Sequence, residues 1–308
     1  MKIGILGPAG TFSEDAAGLW LKGRNEKAEM KYYETIFDVS ESLLRKEVDY
    51  GIVPIENSLE GSVGETLDVL SSENREEIQI VGEVLVPINI CLLAQTFEKS
   101  LIKTVVSHPH ALAQCKQFIR EQLKGVEVKS VDSTASAAKI ASQSEEIAAL
   151  ASKAAAQKYD LNILEENVQS GALPHEPASP GRGYNDSVTR FVVLSSSAVS
   201  SASGIKTAPT PTGRDKTSVL IYLNDYPGAL YDVLGEFVQR GINLTKIESR
   251  PSKRALGDYM FHIDCEGHIE EEKVKETLEA IARKVAMLKI LGAYPMAISN
   301  NDETHENT

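Results

Sequence analysis

The chain has 308 residues, 42% of them apolar and 25% charged, which suits a soluble protein with two or three lobes, each with its own core. Its net charge of -12 and lack of an arginine-rich run exclude a nucleic-acid-binding role. Cys91, Cys115 and Cys265 are widely spaced with no CxxC pair, no apolar run approaches the roughly 20 residues that span a membrane, and Met1 leads straight into a strand pattern, so a cytoplasmic protein with reduced thiols is expected.

Ile3 to Leu6 reads as a short buried strand. Phe12 to Leu21 reads as a helix opened by Thr11 or Ser13, with Glu14 and Asp15 in its first turn. Ile36 to Lys46 is a second helix, Tyr50 to Pro54 a strand, and Glu83 to Leu93 one extended segment. Thr104 to Ser107 is a strand, Ala111 to Leu123 a helix, and Glu127 to Val131 a strand. An alanine-rich helix at Ser133 to Ser142, a strand at Ile147 to Leu150 and a helix at Lys153 to Tyr159 follow. This alternation indicates α/β layers and runs twice. It predicts a two-lobed domain over 1–196 with a cleft between lobe one (about 1–80 and 187–196) and lobe two (about 81–186).

Residues 197–213 are rich in Ser, Pro and Thr and read as a linker. Residues 214–296 then give strand Thr217 to Leu223, helix Ala229 to Arg240, strands Leu244 to Arg250 and Tyr259 to Asp264, helix Ile269 to Val285 and strand Leu288 to Leu291. That βαββαβ order is ferredoxin-like. The polar tail, 297–308, is expected to be disordered.

Polar clusters sit where strands end. Gly7-Pro8-Ala9-Gly10-Thr11-Phe12-Ser13 brings backbone amides and a helix N-terminus to one place, a setting for an anion, although GxGxxG is not matched. Pro54 to Val63 carries Glu56, Asn57 and Ser58 after a buried strand, and Glu56 there demands a partner. Ser107-His108-Pro109-His110 precedes a helix with Gln114; two histidines across a proline are poorly spaced for a metal, and none is expected. Ser133-Thr134-Ala135 opens the next helix. Thr189-Arg190-Phe191 sets a hydroxyl beside a guanidinium where a Gly/Pro-rich loop becomes the strand Val192-Val193-Leu194. Together these describe a cleft for a small carboxylate. There is no P-loop, no GxSxG and no flanked catalytic thiol.

The segments GPAGTFSEDAA, PIENSLEGSV, SHPHALAQC, STASAA and TRF, in this order, resemble prephenate dehydratase. GALYDVLGEF and IESRP resemble the ACT regulatory domain fused to that enzyme. The likeness covers about residues 1–295. It implies a periplasmic-binding-protein type II-like body, no cofactor, and conversion of prephenate to phenylpyruvate, carbon dioxide and water in L-phenylalanine biosynthesis. It assigns Thr189 to the departing hydroxyl and Arg190 to a substrate carboxylate, with Glu56, Asn57, Ser107 and Gln114 as further catalytic residues. Thr11, Phe12, Ser13, Ser58, Thr134, Ala135 and Phe191 are implied to line the substrate.

The same resemblance places inhibitory L-phenylalanine between paired ACT domains, at Gly228, Ala229, Leu230, Asn243, Leu244, Glu248, Ser249 and Arg250, in a homodimer or tetramer. Two positions depart from the family pattern. His110 stands where glutamine is usual, and Ser187 where asparagine is usual, leaving Asn185 or Ser187 to replace the amide. Two alternatives stay open: arogenate dehydratase, and a non-catalytic cytosolic amino-acid sensor.

Overall fold

The computed structural model of the chain describes residues 1–22, 27–169, 187–196, 210–252 and 258–297. Most of the linker, the tail from 298, Asn185 and the rest of the loop before Ser187 lie outside these residues.

Lobe one opens with β1 (Lys2–Leu6), α1 (Phe12–Leu21), β2 (Glu29–Tyr33), α2 (Ile36–Leu44), β3 (Tyr50–Asn57), β4 (Gly61–Ser62), α3 (Gly64–Ser71) and β5 (Ile78–Pro87). The chain crosses at 88–90 into lobe two: β6 (Cys91–Ala94), β7 (Thr104–Ser107), α4 (Pro109–Gln114), α5 (Lys116–Gln122), β8 (Glu127–Ser130), α6 (Thr134–Ala141), β9 (Ile147–Ala151), α7 (Lys153–Tyr159) and β10 (Asn162–Glu165). It returns to lobe one as β11 (Val188–Ser196).

The two sheets share one plan. Lobe one runs β2-β1-β3-β11-β5, and lobe two, read from its other edge, β8-β7-β9-β6-β10. In each, the last two positions hold the two strands joined to the crossing segments, β11 and β5 in lobe one and β6 and β10 in lobe two. This is the two-lobed α/β body expected, with a cleft at the crossings. Gln169 stitches the hinge: its Oε1 accepts from Ile90 N at 2.9 Å and its Nε2 donates to Ile88 O at 3.1 Å.

Several elements differ from the sequence reading. The single segment Glu83 to Leu93 is two strands in two sheets, because Pro87 to Ile90 carries the crossing. The helix expected at Ala111 to Leu123 divides at Cys115 into α4 and α5, and α2 stops at Leu44, with Lys46 left-handed at φ 57°. The edge strands β2 and β10 carry too many polar residues to stand out by composition.

The C-terminal unit contains β12 (Asp215–Tyr222), α8 (Ala229–Gln239), β13 (Leu244–Pro251), β14 (Tyr259–Glu266), α9 (Glu272–Ala282) and β15 (Met287–Pro295). Its antiparallel sheet runs β13-β14-β12-β15, the ferredoxin-like order. Alternation along β12 divides its side chains between two cores. Val219 and Ile221 meet Val233, Phe237, Val274 and Ile281 of the helices. Leu220, with Leu291 and Tyr294, joins Val53, Ile55, Ile80, Val192 and Leu194 of lobe one. The two domains therefore share a hydrophobic core. Gly292 permits the closest approach: a Cβ there would lie 2.0 Å from the Ile80 carbonyl oxygen.

His262 lies in this junction, its Nε2 2.8 Å from Ser71 Oγ, and burial pulls its pKa from 6.5 down to about 4. Folding therefore favours the neutral ring. That stabilisation is complete above pH 6.5 and is lost as pH falls towards 4, on the order of 3 kcal/mol in full. His262→Gln, which cannot titrate, is expected to flatten the thermal midpoint against pH over this interval. An unchanged curve would show that His262 does not govern it.

Candidate active site

A cleft of about 370 Å³ lies between the lobes. Lobe one contributes Thr11, Phe12, Ser13, Asn57, Thr189 and Phe191, and lobe two His108, His110, Gln114 and Thr134, with Ile88 and Ile90 of the crossing at its floor. A larger groove of about 660 Å³ runs between α3 and the C-terminal domain. None of the sequence motifs converges there, and its Arg75 is engaged by Glu41 and Ser40.

Strand alternation decides what faces the cleft. Thr189 and Phe191 point into it from β11, and Arg190 points through the sheet to the other side. Asn57, the last residue of β3, stands opposite Thr189. Its Oδ1 accepts from Leu59 N at 2.9 Å and Glu60 N at 3.1 Å, which fixes the amide orientation. Its Nδ2 then donates to Thr189 Oγ1 at 2.9 Å and to Ser187 Oγ at 3.0 Å. Thr189 accepts from Asn57, so its own hydroxyl hydrogen is free to donate into the cleft. Ser187 is thus a second oxygen held by the same amide.

Arg190 and Glu56 require a correction. Arg190 is 5% exposed and donates to Glu56, Glu83 and Asp264. It does not reach the cleft, so it is not available to a substrate carboxylate there. Burial alone would raise the Glu56 carboxyl, but Arg190 and Lys246 outweigh it and hold the pKa below its ordinary value. Glu56 faces the C-terminal domain with Arg190.

Other expected residues also hold the framework. Ser107 is fully buried and donates to Leu150 O at 2.6 Å, tying β7 to β9. Ser58 Oγ accepts from Val188 N at 3.0 Å, fixing the start of β11. Ala135 lies in the buried face of α6. Thr11 Oγ1 donates to Leu6 O at 3.0 Å, and the Glu14 carboxylate accepts from Gly10 N. That glycine turn is therefore closed by the chain's own carboxylate.

Gln114 is placed as a cleft residue. Its Nε2 donates to Glu60 Oε1 at 2.7 Å, and its buried Oε1 has no partner. Glu60 Oε2 also lies 2.5 Å from His110 Nδ1. Glu60 of lobe one thus bridges to α4 of lobe two, a link the sequence reading did not anticipate. His108 stacks on His110 at 5.1 Å, and burial, then the neighbouring His110, lowers its pKa, which favours the neutral ring. No group of three or more potential metal ligands occurs among the described residues.

The expected effector residues separate into two sets. Gly228, at φ 95°, Ala229 and Leu230 line a second hollow of about 490 Å³ with Tyr226, Tyr259 and Phe261. Along β13, Leu244, Lys246, Glu248 and Arg250 alternate with the exposed Ser249. Glu248 accepts from Ser62 and Arg250 pairs with Asp68, so both face lobe one, and Asn243 donates to Glu266.

The prephenate dehydratase family model matches residues 3–198, and the ACT domain model matches 217–283. The chain belongs to the prephenate dehydratase family. It is 41% identical over 298 residues to a bifunctional chorismate mutase/prephenate dehydratase of Aquifex aeolicus, covering 97% of this chain and 74% of that protein. A prephenate dehydratase of Arthrobacter aurescens, solved with L-Phe, superposes with a TM-score of 0.80 at 33% identity over 96% of this chain and 90% of its own. A protein described as a novel type of quorum quenching acylase superposes at 0.79 with 26% identity over 98% and 100%.

Proposed function

We propose that this chain is a prephenate dehydratase that converts prephenate to phenylpyruvate. The observation that carries the reading is the Asn57–Thr189 hydrogen bond of 2.9 Å, which holds the threonine oxygen at the cleft as an acceptor and leaves its proton to donate. In the reaction the bond from the ring to its carboxylate carbon breaks and carbon dioxide leaves. That electron pair moves into the ring, the ring becomes aromatic, and the bond to the ring hydroxyl breaks. The departing oxygen needs a proton to leave as water. Aromatisation supplies much of the driving force, so a well-placed donor is sufficient. Thr189 serves as that donor, with the proton replaced from solvent. The unpartnered Gln114 Oε1 is available to accept from the same hydroxyl before it departs.

Among the described residues, no lysine or arginine lines the cleft. The substrate carboxylates are met by the amide end of α6 and the hydroxyl of Thr134, and by Ser13 at the start of α1. Thr189 also has no general base within hydrogen-bond reach among the described residues, since its recorded partner is an amide donor. That fits proton donation better than nucleophilic attack on an acyl group.

The effector reading follows from the hollow beside Gly228. Its left-handed turn at Gly228 opens α8 next to Tyr226, Tyr259 and Phe261, a setting for an amino acid with an aromatic side chain. L-phenylalanine bound there is the end-product inhibitor. The exposed Tyr231, Val238 and Ile247 of this domain suit the pairing of two copies, and the protein is read as a homo-oligomer.

Thr189→Ala is expected to lower kcat for phenylpyruvate formation by about 10² to 10⁴-fold with little change in KM, measured by the absorbance of phenylpyruvate. Retained turnover would remove Thr189 from the chemistry. L-phenylalanine is expected to raise the thermal midpoint and lower turnover, and Gly228→Val to abolish both effects. If the ligand leaves midpoint and rate unchanged in the unaltered chain, the effector reading fails.

A further inference from the structure

The back of the catalytic strand is clamped by the C-terminal domain. Arg190 uses each of its three nitrogens on a different carboxylate: Nε to Glu56 at 2.6 Å, Nη1 to Glu83 at 3.0 Å and Nη2 to Asp264 at 2.7 Å. Glu83 also receives Lys216 Nζ, at 3.0 and 2.9 Å. Lys246 Nζ donates to Glu56 Oε2 and Ser62 Oγ, both at 2.6 Å. Ser218 donates to the other oxygen of Asp264 at 2.6 Å. Three cations face three carboxylates, and the cluster is neutral as a whole.

Half of this cluster comes from each domain. Arg190, Glu56 and Glu83 belong to β11, β3 and β5, whereas Lys216, Lys246 and Asp264 belong to β12, β13 and β14. Arg190 immediately follows Thr189, and Glu56 immediately precedes Asn57. The two halves of the cleft donor pair are therefore each one peptide from a side chain held across the domain junction. The register between β11 and β3 shifts at this point, between Arg190 and Phe191, so on this side the strand is held less regularly than on its β5 side, where the ladder runs unbroken from Val188 to Val193.

We propose that Asp264 and Lys246 of the C-terminal domain are positioning residues for the Thr189–Asn57 pair, acting through Arg190 and Glu56. The proposal rests on the dehydratase reading and deepens it. A buried pair that loses one partner leaves an uncompensated charge, which the structure relieves by moving. A displacement of the donor hydroxyl by a fraction of an ångström reduces the rate while the substrate-binding walls stay in place. Any ligand that shifts β13 and β14 against lobe one acts on the same pair.

The test compares Asp264→Asn, Lys246→Met and Asp264→Glu in the full chain, with kcat, KM, thermal midpoint and amide hydrogen exchange as readouts. Asp264→Asn and Lys246→Met are expected to lower kcat about 10- to 100-fold with KM within about threefold, at temperatures well below their midpoints. Asp264→Glu, which keeps the charge, is expected to recover most of the rate. Exchange is expected to accelerate across 187–191 and 55–58. Should Asp264→Asn fail to fold, Lys246→Met and the milder Ser62→Ala, which removes a partner of Lys246, carry the comparison. Folded variants with unaltered kcat and unaltered exchange would overturn the proposal. Accelerated exchange in a chain whose unaltered form does not turn over prephenate would uphold the mechanical link and overturn the dehydratase reading instead.

Discussion

The guanidinium of Arg190, buried among Glu56, Glu83 and Asp264, is the interaction on which the rest of the structure depends. A cation placed this deep is tolerated only with full compensation. Burial disfavours the charge on Arg190, and the carboxylates, Asp264 foremost, outweigh that and raise its pKa above the ordinary value. The compensation cannot be local, because one of the three carboxylates belongs to the other domain. The C-terminal unit is therefore part of the environment that makes β11 possible. The hydrophobic half of the junction, with Leu220 and Leu291 against Ile80 and Val192, supplies the burial that keeps these charges dry.

The opposite face of the same strand turns Thr189 and Phe191 to the cleft, where the proposed chemistry takes place. A threonine hydroxyl is a poor acid in water, so in that proposal its placement matters more than its acidity. Asn57 has both amide groups committed, its oxygen to two backbone N–H groups and its nitrogen to Thr189 and Ser187. Thr189 accepts from that nitrogen, which leaves its own proton available to a group in the cleft. Opposite, Glu60 ties lobe one to His110 and Gln114 of lobe two. An apolar floor at Ile88, Ile90 and Phe191 suits a product that becomes aromatic.

Local periodicity made much of the fold legible. The helices Phe12–Leu21 and Lys153–Tyr159 and the strand Thr104–Ser107 have the bounds read from the sequence, since apolar spacing and capping residues mark them. The strands β2 and β10 escaped because they sit at sheet edges and carry polar residues. The site was legible as a set of motifs but not as a geometry. Alternation already implied that Thr189 and Phe191 share one face of a strand and Arg190 takes the other, and likewise that Asn57 and Glu56 diverge. Grouping each motif as a single functional unit concealed that signal. The partner of Arg190 on the far side, Asp264, lies 74 residues downstream in another domain, and no local pattern announces it. The link from Glu60 to His110 is invisible in sequence for the same reason.

The account assigns Arg190 to the protein and Thr189 to the substrate, and steady-state kinetics of Arg190→Lys separates these roles most directly. Lysine keeps the positive charge but cannot reach three carboxylates at once. The predicted result is a fall in kcat for phenylpyruvate formation with KM for prephenate within about threefold of the original value. A KM raised by about 100-fold or more with kcat preserved would show Arg190 holding a substrate carboxylate and would contradict the account.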